Sequence, residues 1–230
     1  MADFDALLWD VDGTLLDFLA AEAVSMQSLF KDFGLGDCTQ EMIKRYSAIN
    51  AAYWKKLERK ELTRAEILVG RFEAFFSELG LKTDAAVFNE AYQKRLGETA
   101  IFRDNSYELV SSFKGKIPQY VVSNGTVVAQ TGKLKKSGFD QLVDGIFLSE
   151  KLGADKPSPV FFQQVFDVLK PRDLSRLIII GDSLSSDIAG GINAGIKTCW
   201  YNPMHAENNT AWMPDFEIEN LSEVPSIINI

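Results

Sequence analysis

The sequence predicts an α/β protein with a mainly parallel sheet, helices on both of its faces, and a helical insertion near the N-terminus. Three observations predict it. From Phe102 onward short apolar runs alternate with helical patterns, the signature of a parallel sheet. A separate run, Ala6-Leu7-Leu8-Trp9, reads as a buried strand with no partner nearby in sequence. Between these parts, from about Phe18 to Gly97, the patterning is helical throughout.

In chain order, the spacing predicts helices over Ala20–Phe33, Thr39–Glu58, Thr63–Leu79 and Asp84–Leu96. The breaks are Gly34-Leu35-Gly36, Lys60–Leu62 and Gly80–Thr83. Thr63-Arg64-Ala65-Glu66 has the form of a capping box, and Ile67, Phe72, Phe75, Phe76 and Leu79 continue as an apolar stripe. The later part predicts strands at Gln119–Ser123, Gly145–Leu148, Leu177–Gly181, Thr198–Tyr201 and Phe216–Ile218. Helices are expected at Val127–Ser137, Pro159–Leu169, Ser185–Ala194 and Leu221–Ile228. The simplest arrangement inserts the bundle, residues 17–99, after the first strand. Residues 1–16 and 100–230 then form one discontinuous core.

Composition narrows the function. Lys and Arg total 24 against 32 Asp and Glu, a net charge of −8, which disfavours a nucleic-acid polymer or an anionic membrane as partner. Cys38 and Cys199 are too few and too far apart for a disulfide framework or a thiolate zinc cluster. Asp3 and Asp5 stand where a signal peptide carries basic residues, and no apolar stretch reaches membrane-spanning length, so a cytoplasmic location is expected. With His205 as the single histidine, any metal is expected to be hard and oxygen-ligated, Mg²⁺ first.

Four strand-end or loop segments carry the chemistry. Asp10-Val11-Asp12-Gly13-Thr14 places two carboxylates two residues apart at the end of the first strand, on one face of an extended chain and able to address one ligand. Close like charges call for a cation or a shared proton. Ser123-Asn124-Gly125 ends another strand with donors able to converge on an anion, although such a trio is commonly only a turn. Gly181-Asp182 ends a third, with Asp187 in the first turn of the following helix, where a carboxylate also suits the helix dipole. Lys156, in the Gly153–Pro159 loop, can balance these charges, although most lysines are simply solvated. Carboxylates beyond the strand ends of an open α/β sheet sit where such sheets bind ligands. Gly190-Gly191-Ile192-Asn193-Ala194-Gly195 follows a helix instead of opening one and reads as packing, not a phosphate cradle.

These segments resemble, in order, the four motifs of the haloacid dehalogenase (HAD) superfamily of phosphohydrolases. The first is Asp10 to Thr14, the second Ser123, the third Lys156, and the fourth Gly181-Asp182 through Asp187. The resemblance implies a Rossmann-like core with a four-helix-type cap domain at residues 17–99. It implies Asp10 as nucleophile, forming an aspartyl-phosphate, and Asp12 as acid and then base. It further implies Mg²⁺ on the Asp10 carboxylate, the Asp12 carbonyl and Asp182, with Asp187 supporting, and phosphoryl oxygens held by Ser123, Asn124 and Lys156. The presence of Asp12 favours phosphate over halide. Tyr46 to Asn50, Arg71-Phe72-Glu73 and Thr198 to Asn202 also resemble the bacterial pyrimidine 5′-nucleotidases. Phe102 to Ser106 departs from the Pro-Gly pair that related enzymes often carry there.

The resemblance therefore implies a small-molecule phosphate ester as substrate, preferably a nucleotide, chosen by the cap. Asn50, Tyr53, Trp54, Arg71 and Phe72 are the cap candidates, since an aromatic face can stack on a base and an amide or guanidinium can hydrogen-bond it. The competing reading of these aromatics is bundle core. A sugar-phosphate phosphatase or mutase keeps the same chemistry; a phosphonate-cleaving relative would need a cap lysine such as Lys55, Lys56 or Lys60. A non-catalytic scaffold would be expected to have lost a motif residue.

Overall fold

The computed structural model describes residues 3–229; residues 1–2 and 230, the outermost positions of the expected core, lie outside the described residues. Six strands form one wholly parallel sheet: β1 (Ala6–Trp9), β2 (Gln119–Ser123), β3 (Gly145–Leu148), β4 (Leu177–Gly181), β5 (Lys197–Tyr201) and β6 (Phe216–Ile218). Their order is β3-β2-β1-β4-β5-β6. The first strand in sequence thus lies near the middle, pairing Trp9 with Val121 on one side and with Ile180 on the other.

Alternation along the strands builds two layers. Leu7, Trp9, Val121, Ile178 and Ile180 join the core on one face, and Ala6, Leu8, Val122, Leu177 and Ile179 join the other. Each fully buried Leu or Ile contributes roughly 1.5–3 kcal/mol relative to exposure. Because all strands are parallel, their C-terminal ends share one edge, and Asp10, Ser123 and Asp182 therefore emerge together.

Four helices separate β1 from the rest of the sheet: α1 (Phe18–Asp32), α2 (Gln40–Glu58), α3 (Arg64–Leu79) and α4 (Ala85–Gly97). They pack around their own aromatic core, in which Tyr46 and Phe72 stack at 4.9 Å and Phe76 meets Phe88 edge-on at 5.0 Å. The capping box at Thr63 and Glu66 starts α3, and Gly80 in the left-handed region ends it. The two chain crossings into and out of this bundle lie side by side: Asp17 N–H donates to Ile101 O at 2.7 Å, and Arg103 N–H donates to Leu15 O at 3.0 Å.

The remaining helices are α5 (Ser106–Phe113), α6 (Val127–Ser137), α7 (Ser149–Leu152), α8 (Pro159–Leu169), α9 (Ala189–Ala194) and α10 (Val224–Ile228). The segment α5 is absent from the sequence expectations, although Leu109, Val110 and Phe113 bury its apolar face. The helix expected at Ser185–Ala194 begins instead as a wide π-helical turn, Leu184–Ile188, because Ser183 O accepts from both Asp187 N–H and Ile188 N–H. That at Leu221–Ile228 divides into a short turn, Leu221–Glu223, and α10. Among the described residues, no helix is long and apolar enough to cross a membrane.

Candidate active site

The ends of β1, β2 and β4 and the loop before α8 enclose a cleft of about 240 Å³ roofed by α1–α4. Asp10 prolongs the β1 ladder through its N–H to Ile180 O at 3.0 Å, which fixes where its carboxylate leaves the sheet. Thr14 Oγ1 donates to Asp10 Oδ2 at 3.1 Å. Lys156 Nζ, buried, donates to Asp10 Oδ1 at 2.8 Å, Asp187 Oδ1 at 2.7 Å and Val122 O at 2.7 Å, which uses all three of its protons.

Asp182 approaches from β4 and keeps one side open to solvent, while Asp187 is buried and accepts from Ser183 N–H at 3.1 Å. Asp182 comes this close because Gly13, at φ +98°, has no side chain; a Cβ there would strike the Asp182 carboxylate. Carboxylate oxygens of Asp10, Asp182 and Asp187 all lie within 4.8 Å of one another. Asp187, expected in a supporting place, thus stands in the cluster itself.

The charges are not balanced by lysine alone. Burial pushes the Asp10 carboxyl up to about 7, against the opposing pull of Lys156 and with further upward pressure from Asp187. Asp182 is held well above the usual carboxylate range by loss of water and then by Asp10 and Asp187. Burial works against a charged Lys156, but the two carboxylates outweigh it and hold the ammonium above its ordinary range. Three oxygen donors this close, short of positive charge and with both cysteines buried elsewhere, suit a hard divalent cation.

Ser123 is buried in the cleft wall, its Oγ accepting from Gly125 N–H at 3.1 Å. Asn124 lines the cleft, but its side chain is committed to the Lys156 backbone: Nδ2 donates to Lys156 O and Lys156 N–H donates to Oδ1, both at 2.8 Å. Asn124 therefore locks the Lys156 loop to the end of β2. Arg64 crosses from α3 to the same place, donating to Asn124 O at 2.8 Å and pairing with Asp155.

Of the five cap candidates, Trp54 and Arg71 line the cleft. The other three are placed elsewhere. Phe72 is fully buried in the aromatic core, because its position on α3 faces Tyr46 and Tyr92, not the sheet. Tyr53 is half-buried against Gly70, with Lys56 Nζ 4.8 Å from its ring. Asn50 stands behind Arg71, accepting from its Nη1 at 2.7 Å and donating to Glu22 at 2.9 Å. Asn50 thereby bridges a buried cation and a buried anion, a placement that the hydrophobic pattern does not encode.

Sequence reasoning did not single out Phe18, Glu58, Gln93, Gln130 or Lys133, all of which line the cleft. Lys133 and Gln130 are the most consequential, because both donate to Asp12, the lysine at 2.6 Å.

Residues 4–195 match the family described as haloacid dehalogenase-like hydrolase. The chain belongs to that family, and its match to the relatives below sets it among phosphatases. It is 36% identical to the YfnB protein of Bacillus subtilis (strain 168), over all of this chain and 97% of that protein. It is also 36% identical to the pyrimidine 5′-nucleotidase PynA of Streptococcus pneumoniae, over 95% of this chain and 92% of PynA. Identity to the Escherichia coli pyrimidine 5′-nucleotidase YjjG is 28%, over 98% of each chain. The magnesium-bound crystal structure of YfnB superposes with a TM-score of 0.93, covering 99% of each chain. The L-2-haloacid dehalogenase of Xanthobacter autotrophicus shares the fold at a TM-score of 0.79 and 14% identity, covering 98% of each chain.

Proposed function

We propose that this phosphatase is a Mg²⁺-dependent nucleoside 5′-monophosphate phosphatase, acting through an aspartyl-phosphate on Asp10 and preferring pyrimidine nucleotides. The observation that carries the reading is the convergence of Asp10, Asp182 and Asp187 around one point, with Lys156 bonded to two of them. The names of PynA and YjjG support the nucleotide assignment. Trp54 and Arg71 on the cap side of the cleft offer an aromatic face and a guanidinium to a small ester.

An oxygen of Asp10 attacks phosphorus, Lys156 counters charge on the phosphoryl oxygens, and Ser123 and the Asn124-Gly125 turn border the space they occupy. Asp12 gives its proton to the departing ester oxygen, then takes a proton from the water that hydrolyses the acyl phosphate. Asp10, Asp182 and Asp187, with the Asp12 carbonyl, would hold a magnesium ion, whose positive charge would lower repulsion between carboxylate and phosphate.

Two measurements test this. In a panel of pyrimidine and purine nucleoside monophosphates and hexose phosphates, Mg²⁺-dependent phosphate release is fastest with uridine or cytidine nucleotides. Preference for hexose phosphates sinks the nucleotide assignment, and no release from any ester sinks the hydrolytic one. The second is thermal. Asp10, raised to about 7 in the folded chain against the ordinary 3.8 of an aspartate carboxyl in the unfolded one, retains its proton to higher pH than the unfolded chain does. Its contribution to metal-free stability is thus present at acid pH and lost as pH rises through about 7. Added Mg²⁺ therefore raises the melting temperature at about pH 8 and far less at about pH 5; an equal shift at both, or none, contradicts this metal site.

A further inference from the structure

We propose that Lys133 and Gln130 of α6 are positioning residues for Asp12, holding its carboxylate at the place where the ester oxygen departs. The inference rests on the phosphatase reading above and assigns a new pair of residues to it. Asp12 lies just beyond β1, in an isolated bridge with Leu16 that holds its backbone but leaves its carboxylate to be fixed by other partners. Lys133 Nζ donates to Asp12 Oδ1 at 2.6 Å and Gln130 Nε2 donates to Asp12 Oδ2, so each carboxylate oxygen has its own donor. Both donors are 1% exposed, whereas the Asp12 side chain remains 23% exposed on the cleft side. The carboxylate is thus gripped from behind and open in front.

The grip is built into the fold. Gln130 and Lys133 stand three apart on one face of α6, which is capped by Thr126, immediately after the Ser123–Gly125 turn. Gln130 reaches Asp12 by passing under that turn at Gly125, where a Cβ would strike the Gln130 amide. Lys133 Nζ also lies 5.1 Å from the Phe18 ring centre, on the first helix of the cap. Lys156 has no proton to spare for Asp12, so Lys133 is a second cation with a separate task.

The consequence belongs to one chemical event. As the bond from Asp10 oxygen to phosphorus forms and the phosphorus–ester oxygen bond breaks, the bonding pair goes to the ester oxygen, which takes the proton from Asp12. The carboxylate left on Asp12 is then met by two donors already in place. A poor leaving group depends on this transfer; p-nitrophenolate, stable as an anion, does not.

The test is single-turnover release of the leaving group from uridine 5′-monophosphate and from p-nitrophenyl phosphate by the Mg²⁺-loaded enzyme. Lys133→Met slows nucleoside release by about 10²-fold and p-nitrophenolate release by less than about threefold. Gln130→Leu acts in the same direction with a smaller effect, and Lys133→Arg recovers most of the rate. Adding Lys133→Met to Asp12→Asn costs nothing further, because both remove the same contribution. Equal slowing of both esters, a raised KM with kcat unchanged, or additivity with Asp12→Asn overturns the assignment. Should Lys133→Met fail to fold, Gln130→Leu and Lys133→Arg decide the question by the same comparison. Wild-type enzyme releasing neither leaving group overturns the phosphatase reading itself, a result distinct from any of these.

Discussion

Asp10→Asn lowers Mg²⁺-dependent phosphate release by at least about 10⁴-fold, the scale on which removal of a nucleophile is felt. The substitution is nearly isosteric. An asparagine oxygen can still accept from Lys156 while its amide faces the Thr14 hydroxyl, which can accept, so both neighbours of Asp10 keep a partner. The fold should not suffer. Asp10 carries its charge at a disadvantage, since burial pushes its carboxyl up to about 7. The metal-free variant is therefore at least as stable as the parent above neutral pH. Loss of activity with an unchanged or raised melting temperature is the expected pair of results; retained activity means that another group attacks phosphorus.

Lys156→Met is expected to lose both activity and stability. Its ammonium is buried and bonded to two carboxylates, so its removal strands charge and leaves Val122 O without its donor, at a cost of about 3–5 kcal/mol. The sign of the pH dependence is fixed by Asp10: without the ammonium that pulls its carboxyl down, the folded chain holds the proton to still higher pH. The stability deficit is thus smallest in acid and grows as pH rises. Urea unfolding of the metal-free protein at several pH values measures it. A deficit independent of pH would show that Lys156 stabilises the fold by packing and not by charge.

Much of the architecture was legible before folding. The bounds of β2, β3, β4, β6, α6 and α8 coincide with those expected, because a buried parallel strand is a short apolar run and an amphipathic helix repeats its apolar face. The π-helical turn at Leu184–Ile188 was not legible, since it depends on which carbonyl captures the Ile188 amide and not on a residue pattern. In the cap, Arg71 and Phe72 are adjacent in sequence and both buried, yet one borders the cleft and the other fills the bundle. Helical spacing says that such residues are covered, but not what covers them.

Lys133 shows the same limit most sharply. Along α6 it stands with Lys135 and Lys136, three lysines that composition treats alike; folding leaves the latter two in solvent and buries the first beneath Asp12. Periodicity, turn chemistry and the acidic residues at strand ends are local properties, so the layered α/β plan and the Asp10, Ser123, Lys156 and Asp182 loops could be read from the chain alone. Partnership between side chains 121 or 146 positions apart is not local. It was settled by the docking of α6 and of the Lys156 loop against the parallel strand ends, where desolvation makes a buried charge seek whichever opposite charge the fold brings within reach.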